Sequence, residues 1–340
     1  MIYTFGIKKS DTTFQASQLR FFNKQLVEEL QLRNIDTIFV LGDVFDTRQN
    51  INVKTMNVVY DLFSKTFANF KVYVIVGNHD LYYTDTTACH SLKMLSSLSN
   101  VKVYSRTTVK TFDGVKVTFL PWITPKAYTE LSKTLTKTEY CFGHLDIAGF
   151  MMDKYNMSSN GCSVKILTEH FKHVYTGHFH TRSKKQVGNC DIEYIGSPYQ
   201  LTRIDADQDR GCTILDLATN KTEFIVNTES IRYIKLTYPN IPTAVEQLVT
   251  NNIVDIEIPY EFSDNSKDIF EYSHKLAELN PVKINQTIGN KPELTVECEQ
   301  ELNLVDLYSL FKTYTDQLKV DNSERIYNEL KNLYNMCKGE

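Results

Sequence analysis

The spacing of apolar residues along the first hundred positions predicts a helix followed by a strand–helix–strand unit. Apolar residues recur at helical spacing over about 15–33, at Leu19, Phe22, Leu26 and Leu30. Two short apolar runs follow, DTIFVLGD and FKVYVIVGNHD, and the segment between them, NVKTMNVVYDLFSKTF, has a helical pattern. Continuous apolar runs of this length are typical of parallel strands that are buried on both faces. The pattern therefore predicts a βαβ unit whose strands end in polar loops.

The middle of the chain predicts further strands with fewer helices between them. The apolar runs are GVKVTFLPW, TEYCFGH, FKHVYTGH, CDIEYIGS and CTILDL. They contain more glycine turns than the first two runs. We therefore predict a mixed sheet or two stacked sheets, in an α/β protein.

The pattern changes again near position 227. Alternating apolar residues up to about 299, with one helical stretch near 269–279, predict a small α+β domain. The remainder predicts two helices with apolar stripes, one at Leu304, Leu307, Phe311 and Tyr314 and the other at Ile326, Leu330, Leu333 and Cys337. The predicted division is 1–226, 227–299 and 300–340.

Composition limits the functional class. The chain has 340 residues, a net charge of −4 and 42% hydrophobic residues, so a nucleic-acid contact would depend on local basic patches. Seven cysteines without a CxxC spacing are typical of a reducing compartment and argue against a disulfide framework or a zinc ribbon. Neither an export signal nor a long apolar run is evident, so we expect a cytoplasmic protein, in the host cell cytoplasm if the source is a phage.

Four polar clusters stand at the ends of the predicted strands. They are GDVFD (42–46), GNHD (77–80), GH (143–144) and GHFH (177–180), and a glycine directly precedes the first polar residue of each. Polar residues at the carboxyl ends of strands can converge on one crevice of an α/β sheet. Imidazole together with carboxylate and amide oxygen suits Mn²⁺, Fe or Zn²⁺. The clusters therefore predict a metal site.

The clusters also suggest individual roles. Asp43 could bridge two ions, and a turn after Gly177 could aim His178 and His180 at different ions. Two such ions clamp a phosphodiester and activate water. His79 needs no metal, and we predict that it protonates a leaving oxygen as general acid.

Each signal also has an ordinary structural interpretation. A single Gly-Asp is often only a turn, and we assign structural roles to the histidines outside the clusters, namely His90, His170, His173 and His274. Four clusters in order, each at a strand end, favour a functional site.

The motifs resemble those of a known superfamily. The series GDVFD, GNHD, GH and GHFH is similar to the calcineurin-like metallophosphoesterase signature. The stretches GDVFDTR, GNHDLYY, LPWI, GHFHT and YIGSPYQLT more narrowly resemble SbcD-type nuclease subunits, above all the recombination nuclease subunits of T-even-like bacteriophages.

This resemblance implies a fold, a metal site and partners. The family fold is a four-layer α/β/β/α sandwich with a small capping domain that helps to place DNA. Two Mn²⁺ ions are implied, with Mg²⁺ as the alternative metal, and five ligands: Asp43 as the bridge, Asn78, His144 and His178 on the second ion, and His180 on the first. His79 would be the catalytic acid. The tail helices resemble the segment that binds the coiled-coil base of an SMC-like ATPase, in a heterotetramer that contains a homodimer of the nuclease subunit.

The sequence departs from the family at its start. The family begins with a strand that ends in Asp-x-His, whereas Ile2 and Thr4 stand at these two positions here, directly before Phe5-Gly6. Either the start is placed too late, with about ten residues upstream, or the protein is a natural variant. We favour the first explanation. In both cases we expect weak binding of the first ion and, without the first strand, an edge or gap in the sheet.

Weaker signals concern surfaces. Arg48, Arg182, Lys184 and Lys185 lie near the clusters and are candidate DNA contacts, with a solvated surface as the alternative. Predicted helices over 53–63 and 88–98 resemble the family's dimer interface, and ordinary core packing explains them equally well.

Three functional hypotheses remain. The main one is a Mn²⁺-dependent 3′–5′ exonuclease and single-strand endonuclease that acts with the ATPase in recombination and double-strand break repair. The second keeps the chemistry but makes the substrate a small phosphodiester or a phosphoprotein. The third is a non-catalytic DNA-binding scaffold, because the Asp-x-His ligands are missing.

Overall fold

The structure is a computed structural model, and it describes residues 2–3, 12–153, 155–159, 161–289, 307–317 and 322–338. The chain forms two compact units, Met1–Asn290 and Lys291–Glu340. No described helix is both long and apolar enough to cross a membrane.

The described strands and helices have the following bounds. The strands are β1 Ile2–Tyr3, β2 Thr37–Val40, β3 Lys71–Ile75, β4 Val101–Tyr104, β5 Thr108–Phe112, β6 Val115–Leu120, β7 Thr138–His144, β8 Phe171–Gly177, β9 Ser183–Val187, β10 Cys190–Tyr194, β11 Gly211–Asp216, β12 Lys221–Val226, β13 Tyr233–Thr237, β14 Ile253–Ile258 and β15 Lys283–Ile288. The α-helices are α1 Thr12–Arg20, α2 Val27–Leu32, α3 Val53–Asp61, α4 Pro125–Thr134, α5 Val164–His170, α6 Val245–Val249, α7 Ser266–Ala277, α8 Leu307–Gln317 and α9 Ser323–Lys338. Helical turns of other types are Phe21–Leu26 and Leu62–Thr66 (π) and Ser91–Ser97, Arg203–Asp205 and Tyr260–Phe262 (3₁₀).

The first sheet contains the predicted βαβ unit. Its strand order is β12-β11-β1-β2-β3-β4, in which β1 to β4 are parallel and β11 and β12 are antiparallel neighbours. The runs DTIFVLGD and FKVYVIVGNHD form β2 and β3, which pair directly. Their two polar loops therefore leave the sheet side by side.

The second sheet carries the two histidine motifs. Its strand order is β5-β6-β7-β8-β10-β9, with β6, β7, β8 and β10 parallel. His144 at the end of β7 pairs with Gly177 at the end of β8. This register brings the GH and GHFH motifs together at one edge.

The two sheets pack face to face. Phe39, Leu41 and Ile75 of the first sheet share one buried cluster with Phe119 and Phe142 of the second. The rings of Phe39 and Phe142 lie 4.8 Å apart between centroids. Aromatic side chains thus fill the layer between the sheets.

Helices cover both outer faces. Phe22 and Leu30 of the first helical stretch and Phe63 after α3 pack in one cluster with Ile38 and Val74 of the first sheet. Leu131 of α4 and Leu167 of α5 pack with Cys141 and Val174 of the second sheet. This arrangement confirms the predicted four-layer α/β/β/α sandwich.

A third sheet follows the sandwich within the same compact unit. Strands β13, β14 and β15 are parallel and share a core with α6 and α7. The predicted α+β character of this region is confirmed, and helix α7 matches the stretch predicted near 269–279. The boundaries 1–226, 227–299 and 300–340 stay a prediction.

The second unit contains the two predicted tail helices. Lys312 of α8 forms an ion pair with Glu324, in which the Nζ–Oε2 distance is 2.6 Å. Tyr314 is 57% exposed and Leu333 is 58% exposed. Leu304, which the first stripe included, lies outside the described residues.

Two local predictions are wrong. Ile2 and Tyr3 form a strand between β2 and β11, so the first strand is present as two residues and leaves no gap between them. Thr4 lies outside the described residues. The predicted helix over 88–98 is only the 3₁₀ turn Ser91–Ser97, because His90 is extended and bridges to Leu81.

Candidate metal centre

The loop after β2 turns through residues in the left-handed region. Gly42 has φ +83° and Asp43 has φ +54°. A Cβ atom at Gly42 would collide with the ring of His144 and the backbone of Gly77. Glycine is therefore required here both for the backbone angle and for the close approach of two other segments.

Asp80 joins the loops after β2 and β3. Its side chain is fully buried, and Oδ2 accepts hydrogen bonds from the backbone N–H groups of Asp43 and Gly77, each at 2.9 Å. Oδ1 accepts from Val44 at 3.0 Å and Phe45 at 3.3 Å. One carboxylate thus fixes the conformation of both metal-motif loops, a role that sequence reasoning missed. The final Asp of GNHD was the available signal.

Four side chains converge at the shared edge of the two sheets. Ligand atoms of Asp43, His144 and His178 all lie within 4.8 Å of one another. Asn78 Oδ1 lies 2.9 Å from His144 Nε2 and 3.0 Å from His178 Nδ1. His144 Nε2 lies 3.2 Å from Asp43 Oδ2. The structure therefore brings together four of the five predicted ligands.

The donor atoms of this cluster fit a cation. His144 Nδ1 lies 2.6 Å from the Leu41 carbonyl oxygen and must carry a proton to donate to it. In the neutral ring, Nε2 then presents a lone pair to the oxygens of Asn78 and Asp43. With the Asn78 oxygen facing them, the lone pairs of these atoms repel unless a proton or a cation lies among them. Turning the amide would instead let nitrogen donate to the same three side chains. Imidazole, carboxylate and amide oxygen together suit a divalent transition metal.

The electrostatics of the cluster follow from burial and mutual contact. Burial alone would raise the pKa of Asp43, but the adjacent His144 outweighs it and the net pKa is lowered. Burial disfavours protonation of His144, but the adjacent Asp43 carboxylate favours it, so the net pKa of His144 is raised. Burial and the nearby His144 lower the pKa of His178 to about 3. Burial and the Asp43 charge raise the pKa of Asp80 to about 7, against the backbone donors that lower it.

His79 lies beside the cluster. Its backbone N–H donates to Asp43 Oδ1 at 2.8 Å, and its ring Nδ1 lies 2.8 Å from the Asp46 carbonyl oxygen. A carbonyl only accepts, so Nδ1 is the protonated donor and Nε2 is left for a substrate. This geometry suits the predicted general acid.

His180 occupies a different position from the other predicted ligands. It lines an open cleft of about 320 Å³ together with Asp43, His79 and His178. Among the described residues it is not part of the group that gathers within 4.8 Å. The His180 residue is exposed to solvent. The protein around its imidazole ring nevertheless desolvates the ring enough to lower its pKa.

Trp122 forms one wall of the cluster. Its ring centroid lies 5.0 Å from that of His178 and 6.0 Å from that of His144. Its backbone N–H donates to the Val76 carbonyl at 2.8 Å, which holds the two sheets together at this edge. Sequence reasoning gave Trp122 no role, although the LPWI motif contained it.

Each of the four basic residues predicted to contact DNA lies near another group of the protein. Arg48 Nη2 lies 3.3 Å from the outer amide atom of Asn78. Arg182 and Lys184 reach Glu193 at 3.4 and 3.9 Å. Lys185 donates to the Gly149 carbonyl and lies over the Phe150 ring. Their DNA-binding role stays a prediction.

Comparisons with known proteins identify the family and a relative of this chain. The family model for calcineurin-like phosphoesterases matches residues 10–182, which is more than half of the chain. Exonuclease subunit 1 of Enterobacteria phage T4 is 28% identical over 327 residues, covering 94% of this chain and 92% of that protein.

Two solved structures are also similar. One is an archaeal phosphodiesterase with 14% identity and a TM-score of 0.36, covering 66% of this chain and 98% of that one. The other is a hypothetical protein of Pyrococcus horikoshii with 11% identity and a TM-score of 0.38, covering 66% and 88%. Together with the sandwich and the converging ligands, the match to the family model identifies this chain as a member of the calcineurin-like phosphoesterase family.

Proposed function

We propose that this chain is the nuclease subunit of a DNA recombination and double-strand break repair complex. The observation that carries the proposal is the convergence of Asp43, Asn78, His144 and His178, with His79 beside them. Similarity to an exonuclease subunit along 94% of the chain supports DNA as the substrate. The polarity we propose is 3′–5′, with single-strand endonuclease activity in addition.

The proposed ligands would serve two Mn²⁺ ions. Asn78, His144 and His178 would hold one ion, His180 would contribute to the other, and Asp43 would be available to both. Bound divalent cations supply the positive charge that lowers the pKa of an attacking water and offsets the charge of the phosphate.

His79 performs the proton transfer in this proposal. The hydrogen bond from the His79 backbone N–H to Asp43 Oδ1 sets the position of His79. The Asp46 carbonyl oxygen orients the His79 ring by accepting from Nδ1. The protonated ring then donates from Nε2 to the oxygen that leaves the phosphorus. Arg48, near the Asn78 amide, is suited to contact a phosphate oxygen.

The proposed partner of the second unit is the coiled coil of an SMC-like ATPase. The apolar stripes of α8 and α9 and the exposure of Tyr314 and Leu333 support such a surface. In this proposal residues 227–299 help to place DNA, 300–340 bind the ATPase, and a homodimer acts inside a heterotetramer. In this proposal the protein acts in the cytoplasm, which is that of the host cell if the source is a phage.

The test is cleavage of end-labelled linear DNA by the purified chain, with and without the ATPase. We expect Mn²⁺-dependent release of nucleotides that disappears in His178→Ala and persists in His170→Ala, whose ring Nδ1 lies 2.8 Å from the Ile166 carbonyl of its own helix. Metal-independent cleavage, or equal activity of His178→Ala, would contradict the proposal.

A second candidate is a non-catalytic DNA-binding scaffold. The position of His180 favours it, because among the described residues His180 does not belong to the gathered group of Asp43, His144 and His178. DNA binding without cleavage in any divalent metal, and unaffected by His79→Ala, is the result this candidate predicts.

A further inference from the structure

The cleft beside the metal cluster has two apolar side chains at its mouth. Met152 comes from the loop between β7 and α5, and Ile204 comes from the 3₁₀ turn before β11. Met152 is 43% exposed and Ile204 is 44% exposed. Both line the same cleft as Asp43, His79 and His178.

The backbone under each side chain is firmly held. Met152 donates its N–H to the Asn156 carbonyl at 2.8 Å, and Asp153 Oδ1 accepts from the N–H groups of Tyr155 and Asn156 at 2.7 and 2.9 Å. Hydrogen bonds therefore hold the backbone on which the exposed Met152 side chain stands. Contact surfaces of this kind lose little conformational entropy when a ligand covers them.

The Ile204 side is fixed by a capping box and a buried ion pair. Thr202 and Asp205 cap the turn reciprocally, and Arg203 Nε lies 2.8 Å from Asp255 Oδ2. Asp205 Oδ1 pairs with buried Arg210 at 2.6 Å. Both acids of the cleft mouth are thus engaged, since Asp153 closes its own turn and Asp205 binds Arg210.

We propose that Met152 and Ile204 form a nucleobase subsite for the nucleotide next to the phosphate that is cut. This inference rests on the proposed nuclease function and names how its substrate is recognised. A phosphodiester at the cluster carries its nucleosides into the same cleft, whose volume of about 320 Å³ suits a ligand of nucleotide size. Every base offers an apolar face, and a methionine sulfur packs well on aromatic rings. The subsite therefore favours nucleotides over simple phosphodiesters without reading sequence.

The test compares two substrates that share a leaving group. Thymidine 5′-(p-nitrophenyl phosphate) carries a base, and methyl p-nitrophenyl phosphate does not. For Met152→Ala/Ile204→Ala we expect kcat/KM to fall about fivefold or more on the first substrate and to stay nearly constant on the second. The matched control is Met157→Ala/Ile241→Ala, which truncates a methionine and an isoleucine that are 58% and 50% exposed outside this cleft.

A binding measurement tests the nucleobase subsite without relying on turnover. Calorimetry with Mn²⁺ present compares thymidine 5′-monophosphate with deoxyribose 5-phosphate on the same variants. Weaker binding of the nucleotide alone supports the subsite. Equal loss for both ligands, or no loss for either, overturns it. Hydrolysis of the thymidine ester by the wild-type chain without cleavage of DNA would contradict the nuclease proposal while leaving the subsite supported.

Discussion

Asp80 Oδ2 accepts the backbone N–H of Asp43 at 2.9 Å, so the residue that ends one metal motif positions the first polar residue of another. The same carboxylate accepts three further backbone N–H groups, from Val44, Phe45 and Gly77. The geometry of the metal centre therefore depends on a residue that is not one of the converging ligands. Because the Asp80 carboxylate is fully buried, water cannot replace it as the acceptor for these four backbone N–H groups.

Asp80→Asn should destabilise the fold and weaken metal binding together. The amide nitrogen would face backbone N–H groups, leaving about two donors unpaired, at a cost of about 3 kcal/mol in the free energy of unfolding. Urea denaturation measures this loss, and Mn²⁺ titration measures the second effect. Asp61→Asn, at an exposed position on α3, is the control and should change neither quantity. An Asp80→Asn protein of wild-type stability would contradict this role.

Gly42→Ala should weaken Mn²⁺ binding more than a glycine-to-alanine substitution elsewhere in the fold. The new Cβ would meet the His144 ring and the Gly77 backbone, in addition to the strain of φ +83°. Gly114→Ala has the same backbone strain at φ +86°, and no atom of the described residues lies within 4 Å of its new Cβ, so it should cost only about 1 kcal/mol of stability. We expect Mn²⁺ affinity to fall only in Gly42→Ala. Similar behaviour of the two variants would mean that the close approach is not required.

His79→Ala should show an effect that depends on the leaving group. An alkoxide leaving from DNA needs a proton, so its cleavage should slow by about 10²–10⁴-fold. The p-nitrophenolate of bis-p-nitrophenyl phosphate leaves without one, and its release should slow far less. Steady-state rates on both substrates, with His170→Ala as control, measure the difference. A proportional loss on the two substrates would place His79 in binding rather than in proton transfer.

Sequence reasoning predicted the βαβ unit at the centre because β2 and β3 are continuous apolar runs that each end in a glycine and polar residues. The same pattern located Asp43, Asn78, His144 and His178. Trp122 escaped it, because packing of its ring on His178 depends on how the two sheets stack. The 3₁₀ turn Ser91–Ser97 was mistaken for part of a longer helix because apolar spacing alone does not show that His90 bridges to Leu81.

Long-range pairing was equally hidden. Strand β11 joins the first sheet next to β1, about two hundred residues away in the chain, and nothing local in CTILDL indicates that neighbour. The place of His180 outside the gathered ligands likewise depends on backbone geometry after β8, where His178 has φ +92°.

The buried cysteines should be unreactive in the folded protein. Burial raises the pKa of Cys162 and of Cys190 to about 11, and Cys141 and Cys212 are also buried, whereas Cys89 is exposed. Thiolates are the reactive form, so at pH 8 these four stay protonated and shielded. In a Cys298→Ser/Cys337→Ser background, iodoacetamide followed by mass spectrometry should label Cys89 alone, and all five remaining thiols in urea. Labelling of a second thiol without denaturant would contradict the packing of the two outer layers.

The metal centre is tested most directly by Mn²⁺ binding to the metal-free chain, measured by calorimetry on the wild type and on His144→Ala. We expect saturable binding to the wild type and at least tenfold weaker binding to the variant, because His144 Nε2 is one of the converging atoms. Circular dichroism of both proteins controls for folding. Wild-type affinity in a folded His144→Ala protein, or no Mn²⁺ binding by the wild type, would show that these four side chains do not form the metal centre.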